Sequence, residues 1–348
     1  MLSDEVKEEI MNIYDISKAA GVSIASVSRV INGAENVSEK TRQKVLAIID
    51  QYGYTPNAYA RGLGRGSMKT IGIMCSDASD IYLANAIYFL ETELRQNGYN
   101  SILCCSGYDL ENKKASFELL KSRQVDAVIM AGSKYVEMND EDNAYVIEGA
   151  RDFPVMLLNG DLDAPNIYST CCDDRGGMKN AVIKLHESGA RNILYVYSSE
   201  SYSGIKKIEG IRAGMKECGL PDDAVRILKG KKDFKDIADL LQEEYRKAPF
   251  DAIIASSDTS GVGAMKFAIR EKLKVPEELQ IVSFNNSVLA ESTNPELTSI
   301  DSKLETLCQH TVKTLLQVLS ASDDELPDIS QKKIIETEMI IRGTTRFS

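Results

Sequence analysis

Apolar side chains are spaced in two different ways along this chain. Over residues 12–53 they return every third or fourth position: Ile13, Ile16 and Ala20, then Val27, Val30 and Ile31, then Val45, Ile48 and Ile49. That period puts each trio on one face of a helix. Asn12, Ser23 and Ser38 stand where the three helices begin, and each can accept a hydrogen bond from a free first-turn amide. Gly21, the Asn32–Gly33 pair and Gly53 stand where they end. The pattern predicts helices over 13–20, 24–32 and 39–52. Two short helices across a glycine turn, braced by a third, form a helix-turn-helix.

From Lys69 onward the apolar residues come instead in short runs. Residues 70–76, 99–105, 126–132, 154–160, 167–172, 192–198, 251–256 and 279–284 read as strands, while 83–97, 178–188 and 261–272 keep a helical period. Strands alternating with helices predict parallel sheets covered on both faces. A chain of 348 residues is long for one core. Two such sheets fit the length, with ligand chemistry outside the carboxyl ends of the strands and between the lobes.

Charge sharpens this division. Residues 11–69 carry eight basic side chains (Lys18, Arg29, Lys40, Arg42, Lys44, Arg61, Arg65, Lys69) against Asp15, Glu35, Glu39 and Asp50. The head therefore has a surplus of +4, which leaves −15 for the remainder of a chain whose net charge is −11. A basic head on an acidic body points to a polyanion contact confined to the head. With Val27, Val30 and Ile31 turned inward, the second helix presents Ile24, Ala25, Ser28, Arg29 and Asn32. Such short side chains let a helix lie deep in a major groove. There Arg29 can make paired hydrogen bonds and Ile24 can pack on a thymine methyl. A merely solvated bundle explains neither the coincident boundary signals nor the charge.

Residues 54–67 read YTPNAYARGLGRGS. Thr55 and Pro56 start a helix, and Gly62, Gly64 and Gly66 stop it after about two turns, too short to persist alone in water. The segment is either a plain linker or a hinge helix that forms only against a surface. DNA can supply that surface, with Leu63 wedged between base pairs in the minor groove.

The run DISKAAGVSIASVSRVING, then VSEKTRQKV, then GYTPNAYARGL resembles the headpiece of the lactose-repressor (LacI/GalR) family of bacterial transcription regulators in order, spacing and turn chemistry. The resemblance implies a helix-turn-helix headpiece at 11–55 and a hinge helix with its linker at 56–68. An effector-binding and dimerisation body at 69–346, with the two-lobed α/β fold of type I periplasmic binding proteins, follows. One lobe is expected at about 69–160 plus 302–331, the other at about 161–298 plus 332–346. Because family members begin close to where Met11 stands, residues 1–10 are expected to be an appended extension. Implied DNA contacts are Tyr14, Ser23, Ile24, Ala25, Ser26, Ser28, Arg29 and Asn32 in the headpiece, with Asn57, Ala60, Arg61 and Leu63 in the hinge.

In the body the resemblance rests on QVDAVIM (124–130), DAIIASSD (251–258), VPEELQIVSFNN (275–286) and PELTSID (295–301). It implies five effector-binding positions: Tyr82 stacking on a sugar ring, Asn159 and Asp258 at strand ends, Lys207 where many members have arginine, and Asn285 where aspartate is common. Amides and carboxylates suit a neutral polyol. Lysine in place of arginine loses a bidentate fork but keeps the charge, so a phosphorylated or acidic sugar stays open. The expected partners are operator DNA, a sugar or sugar-phosphate effector and a second copy of the chain. The expected place of action is the cytoplasm, without a membrane.

Other chemistries find little support. Cys104–Cys105 and Cys171–Cys172 are adjacent pairs, no C-x-x-C occurs, and His186 and His310 are the only histidines. No metal site or cofactor is therefore expected. GVGAMK (261–266) lacks the third glycine of a dinucleotide fingerprint, and SGIK (203–206) lacks the companion motifs of an acyl enzyme. No nucleophile meets a base, so no enzyme is expected. The alternatives are a global carbon regulator controlled by a phosphoprotein partner and a transport-type sugar-binding protein. The second of these has no use for residues 12–63.

Overall fold

Asn12 opens the first helix of the computed structural model with a full capping box: its Oδ1 accepts from the Tyr14 and Asp15 amides at 2.9 and 3.2 Å, and the Asp15 carboxylate accepts from the Asn12 amide. The structure describes residues 12–31, 34, 36–52, 67–221, 224–230, 233–321 and 329–347. The chain divides into two compact units, Met1–Lys69 and Thr70–Ser348.

The first unit holds α1 (Ile13–Ala20), α2 (Ile24–Ile31) and α3 (Glu39–Tyr52). Gly21 adopts φ 61°, a left-handed conformation that ends α1 without a Cβ clash. The Ser23 and Ser38 hydroxyls accept from the Ser26 and Thr41 amides, as N-caps do. Ile16, Ala20, Val27, Val30 and Val45 form the buried core, with Ile13, Ile31, Ile48 and Ile49 packed around it. The expected α2 terminus at Asn32 lies outside the described residues, as do the extension at 1–10 and most of the 56–68 hinge.

The second unit contains two six-stranded sheets. In the first, β1 (Thr70–Cys75), β2 (Asn100–Cys105), β3 (Ala127–Ala131), β4 (Val155–Leu158), β5 (Ile167–Cys172) and β11 (Lys332–Ile335) run parallel in the order β11-β5-β4-β3-β1-β2. The second has the order β12-β10-β9-β8-β6-β7. Its members are β6 (Ile193–Tyr197), β7 (Val225–Lys229), β8 (Ala252–Ala255), β9 (Gln280–Phe284), β10 (Thr298–Asp301) and β12 (Glu338–Ile340), with β12 antiparallel. Covering helices are α4 (Ile81–Gln96), α5 (Leu110–Ser122), α6 (Ala144–Gly149), α7 (Asp174–Glu187), α8 (Tyr202–Glu217), α9 (Phe234–Lys247), α10 (Asp258–Glu271), α11 (Val288–Glu291) and α12 (Leu304–Ser320). One core cluster runs through both sheets and includes α7, α8 and α12. Two others fill the remaining sheet faces.

This topology corrects the expected lobe boundaries. Strand β5, placed by the 160/161 boundary in the second lobe, hydrogen-bonds to β4 and β11 in the first sheet. So does β11, although residues 332–346 were assigned to the second lobe. The chain passes between sheets after Cys172, after Asp301 and between Ile335 and Glu338. Each sheet has the doubly wound order in which the first strand sits between the second and third, which creates a crevice at the carboxyl ends. Among the described residues, no helix is long and apolar enough to cross a membrane.

Candidate functional site: a headpiece surface and a serine-lined cleft

In the headpiece, burial separates the faces of α2. Val27 and Val30 are buried, while Ile24 is 40 % exposed and Ala25 and Arg29 are exposed as well. Ser23 and Tyr14 are also exposed, and Ser26 and Ser28 are half-buried. The Ser26 hydroxyl lies 2.9 Å from that of Ser23, within the cap of α2. Asn32, Asn57, Ala60, Arg61 and Leu63 lie outside the described residues.

In the body, the five expected effector positions line one cleft of about 570 Å³, a volume in the range of small-molecule sites. Ser76, Gly132 and Asn159 follow β1, β3 and β4 of the first sheet. Ser198, Ser256 and Asn285 follow β6, β8 and β9 of the second. The cleft thus opens at the carboxyl ends of both sheets. Ten serines line it, beside Tyr82, Tyr108, Tyr195, Tyr197, Phe234 and Phe284. The Ser133 hydroxyl, from the first sheet's side, donates to the Ser201 hydroxyl that caps α8 at 2.9 Å, so a hydrogen bond already spans the lobes.

Most of the five are tied to the protein itself. Asn159, at φ 59°, accepts from the Cys172 amide at 3.1 Å and donates to the Tyr82 hydroxyl at 2.5 Å. Burial pushes that phenol well above its ordinary range. Asp258 accepts from the Ser283 and Ser299 hydroxyls and from the Ser287 amide, each at 2.6 Å, so both carboxylate oxygens are committed. Asn285 adopts φ 103°, and its amide nitrogen donates to the Ile300 carbonyl at 2.8 Å. Among the described residues its side-chain amide is uncommitted.

Lys207 shows a local arrangement that its sequence position did not reveal. Its ammonium donates to the Ser256 carbonyl at 2.9 Å, sits 3.7 Å from the centre of the Phe284 ring and lies 3.6 Å from Asp174 Oδ1. Asp174 is almost fully buried at the start of α7, where Asp173 rather than Asp174 caps the helix. Burial pushes the Asp174 carboxyl above its ordinary value, against the opposing pull of Lys207 and of the Ser203 hydroxyl. Close approach of α7 and α8 makes the pair possible, since a Cβ on Gly210 would run into the Arg175 carbonyl. Sequence reasoning passed over Asp174 because two adjacent acids at a helix start both look like caps. It also passed over Phe284, which reads as an ordinary strand residue. The run of small residues S-S-x-S-x-S at 198–203 was the available signal for a hydroxyl-lined wall.

Comparison with known proteins agrees with this geometry. Residues 12–57 match the family model described as "Bacterial regulatory proteins, lacI family". Residues 68–337 match that of "Periplasmic binding proteins and sugar binding domain of LacI family". An HTH-type transcriptional regulator of Lachnoclostridium phytofermentans is 47 % identical over 97 % of this chain and 100 % of its own length. A lac repressor dimer bound to operator and the anti-inducer ONPF shares the fold with a TM-score of 0.86. It is 21 % identical, over 97 % of this chain and 99 % of that one. A complex of the transcriptional regulator CelR with cellobiose has a TM-score of 0.69 at 22 % identity, covering 96 % of this chain and 99 % of that one.

Proposed function

The chain belongs to the lacI family of bacterial regulatory proteins, and from that premise we propose that it is a cytoplasmic, dimeric repressor of carbohydrate-utilisation genes, released from or fixed on its operator by a sugar-like effector held between the lobes. It is a transcription regulator, and the proposal adds no catalytic step. The headpiece is residues 11–55, the hinge 56–68 and the effector body 69–346, with each headpiece reading half of a near-palindromic operator. The observation that carries the allosteric part is the cleft itself. Its walls come from the strand ends of two separate sheets, so a ligand touching both changes their relative position. Hydroxyls and aromatic rings dominate those walls, and they suit a polyol with both donors and acceptors. CelR, with the same fold, binds cellobiose.

The test measures binding of fluorescent DNA fragments, selected from the source genome for affinity, at fixed salt with and without sugars. A coupling of about 1–3 kcal/mol changes operator affinity roughly 5–150-fold. If no fragment is preferred over bulk DNA under any sugar, the proposal fails.

Two substitutions probe the DNA side. Arg29→Ala removes an exposed side chain and leaves the head core untouched. It is expected to weaken operator binding roughly tenfold to a hundredfold and to relax the preference at one base pair per half-site, the effect of losing a bidentate base contact. A uniform loss across all sequences, with a shallower salt slope, would instead make Arg29 a phosphate contact. Gly62→Ala removes a residue that costs a helix about 1 kcal/mol relative to alanine. With one hinge in each subunit it is expected to tighten operator binding by roughly five- to thirtyfold. Unchanged binding at matched salt argues against a hinge that coils on DNA.

A further inference from the structure

The seven cysteines are all free thiols, and their surroundings differ. Cys75, Cys171, Cys172 and Cys308 are buried, whereas Cys105 is exposed on β2, the edge strand of the first sheet. Cys104 and Cys105, like Cys171 and Cys172, are neighbours along one strand, so their side chains leave opposite faces and do not meet. Cys75 and Cys105 are placed differently. They end β1 and β2 as direct partners in the parallel register, the one cysteine pair so matched among the described strands. Partners in register share a face of the sheet. Neighbouring strands lie about 4.8 Å apart, inside the range of about 4.4–6.8 Å between Cα atoms that a disulfide spans. The two thiols also sense each other: burial pushes Cys75 up to about 11, and a charge on Cys105 adds to the rise.

We propose that Cys75 and Cys105 form a reversible disulfide that acts as a redox switch on the first-lobe wall of the cleft. Exposed Cys105 reacts first. Its thiolate attacks a peroxide oxygen, the O–O bond breaks, and the departing hydroxide takes a proton to become water, leaving a sulfenic acid. The Cys75 sulfur then attacks the Cys105 sulfur, and the sulfenic hydroxyl leaves as water with the Cys75 proton. Two thiols and one peroxide thus give one disulfide and two waters. Two molecules of a thiol such as glutathione reverse the step by exchange and leave as their own disulfide. The bond is strained, because strands about 4.8 Å apart hold their Cβ atoms about as far apart, while a disulfide prefers about 3.8 Å. Strained disulfides are the labile, regulatory ones, the kind a cytoplasmic regulator can form and release.

The resulting pull of about 1 Å acts directly beneath the cleft. Ser76 and Asp77 follow Cys75, Tyr108 follows Cys105 by three residues, and all three line the cleft. The Ser106 amide donates to the Cys75 carbonyl at 2.9 Å, and the Tyr108 hydroxyl donates to Asp77 at 3.1 Å. The Ser106 hydroxyl lies 2.8 Å from that of Tyr135, which passes a shift on to the segment after β3. The bond concerns this wall whatever the cleft holds, so its test stands apart from the effector reading.

Trypsin releases Cys75 in the fragment 70–95, and Cys104 with Cys105 in the fragment 96–113. The full-length protein is treated with a small excess of hydrogen peroxide, its remaining thiols are trapped, and it is digested without reductant. Mass spectrometry is expected to find the two fragments joined in the parent and in Cys104→Ser, and separate in Cys105→Ser. Glutathione is expected to part them again. Because a cross-link removes relative motion of the two strand ends, amide hydrogen exchange over 76–80 and 106–108 is expected to slow several-fold in the oxidised parent. Peroxide-treated Cys105→Ser, which alters only an exposed side chain and keeps the fold, shows no such slowing. The switch is overturned if Cys105 goes on to sulfinic acid, or pairs with Cys104 or with Cys105 of a second copy. A bond that resists glutathione overturns it too, as does exchange over those segments that is the same in both forms.

Discussion

Val27→Asp is expected to abolish specific operator binding while leaving the melting of the body unchanged. Val27 is fully buried among Ile16, Ala20, Val30 and Val45, and a carboxylate there has no cation to meet in that apolar cluster. Burying an unpaired charge costs several kcal/mol even after its pKa adjusts. A helical unit this small has about 3–5 kcal/mol of stability from its core. The head therefore unfolds. Specific complexes of such regulators are typically 10³–10⁷ tighter than non-specific ones, so a loss of at least a thousandfold is expected. Because Thr70–Ser348 is a separate unit with its own cores, its thermal transition and its sugar-induced shift stay at the parent values. Specific binding retained within tenfold of the parent contradicts this account of the head. A body transition that falls with the head contradicts the independence of the units.

The head was readable because its signals are local. Asn12 with Asp15, Ser23 with Ser26, and Ser38 with Thr41 each satisfy a helix end within three residues. Gly21 needs only its own backbone to turn the chain. Strands buried on both faces were readable for a similar reason, since runs such as Ala127–Ala131 are apolar throughout. Strands β7, β11 and β12 were missed. β7 reads VRILK and is buried at only one of its five positions, β11 reads KKII with three of four exposed, and β12 has three residues. At a sheet edge, backbone pairing defines a strand that side chains barely mark. The lobe boundary failed differently: a run of apolar residues announces a strand but not its sheet, and β5 finds its partners only through β4 and a segment more than 150 residues away.

The cleft was half readable. Strand ends identify candidate positions, and Tyr82, Asn159, Lys207, Asp258 and Asn285 do meet around one space. Which of them holds a free polar group depends on long-range neighbours. Asn159 is occupied by Tyr82 and Cys172, 77 and 13 residues away. Asp174, which pairs with Lys207 in the cleft, was meanwhile hidden beside the true cap, Asp173.

Asp258 makes the same point with a large expected effect. As a ligand-binding residue its replacement by alanine would silence the effector response and spare everything else. The geometry gives it another task. Its oxygens gather Ser283 from β9, Ser299 from β10 and the Ser287 amide before α11, tying the carboxyl end of the second sheet to the start of α10. Asp258→Ala strands two buried hydroxyl donors, each costing about 1–3 kcal/mol, and one half-buried amide, partly offset where the two hydroxyls can turn to other acceptors. A net loss of about 3–5 kcal/mol is expected, or a fall in the body's melting temperature of the order of 10 °C. Asp258→Asn keeps one acceptor oxygen but points an amide donor at the Ser287 N–H, so it is expected to fall between parent and alanine. Asn285→Ala, whose side chain holds no structural bond, serves as the contrast: its melting temperature stays near the parent's while its effector response changes. Calorimetric melting of the three variants decides the matter. An Asp258→Ala body that melts within about 2 °C of the parent, yet ignores every sugar, returns Asp258 to the ligand. A body that melts far lower makes it the clasp that holds the second lobe's half of the cleft in shape.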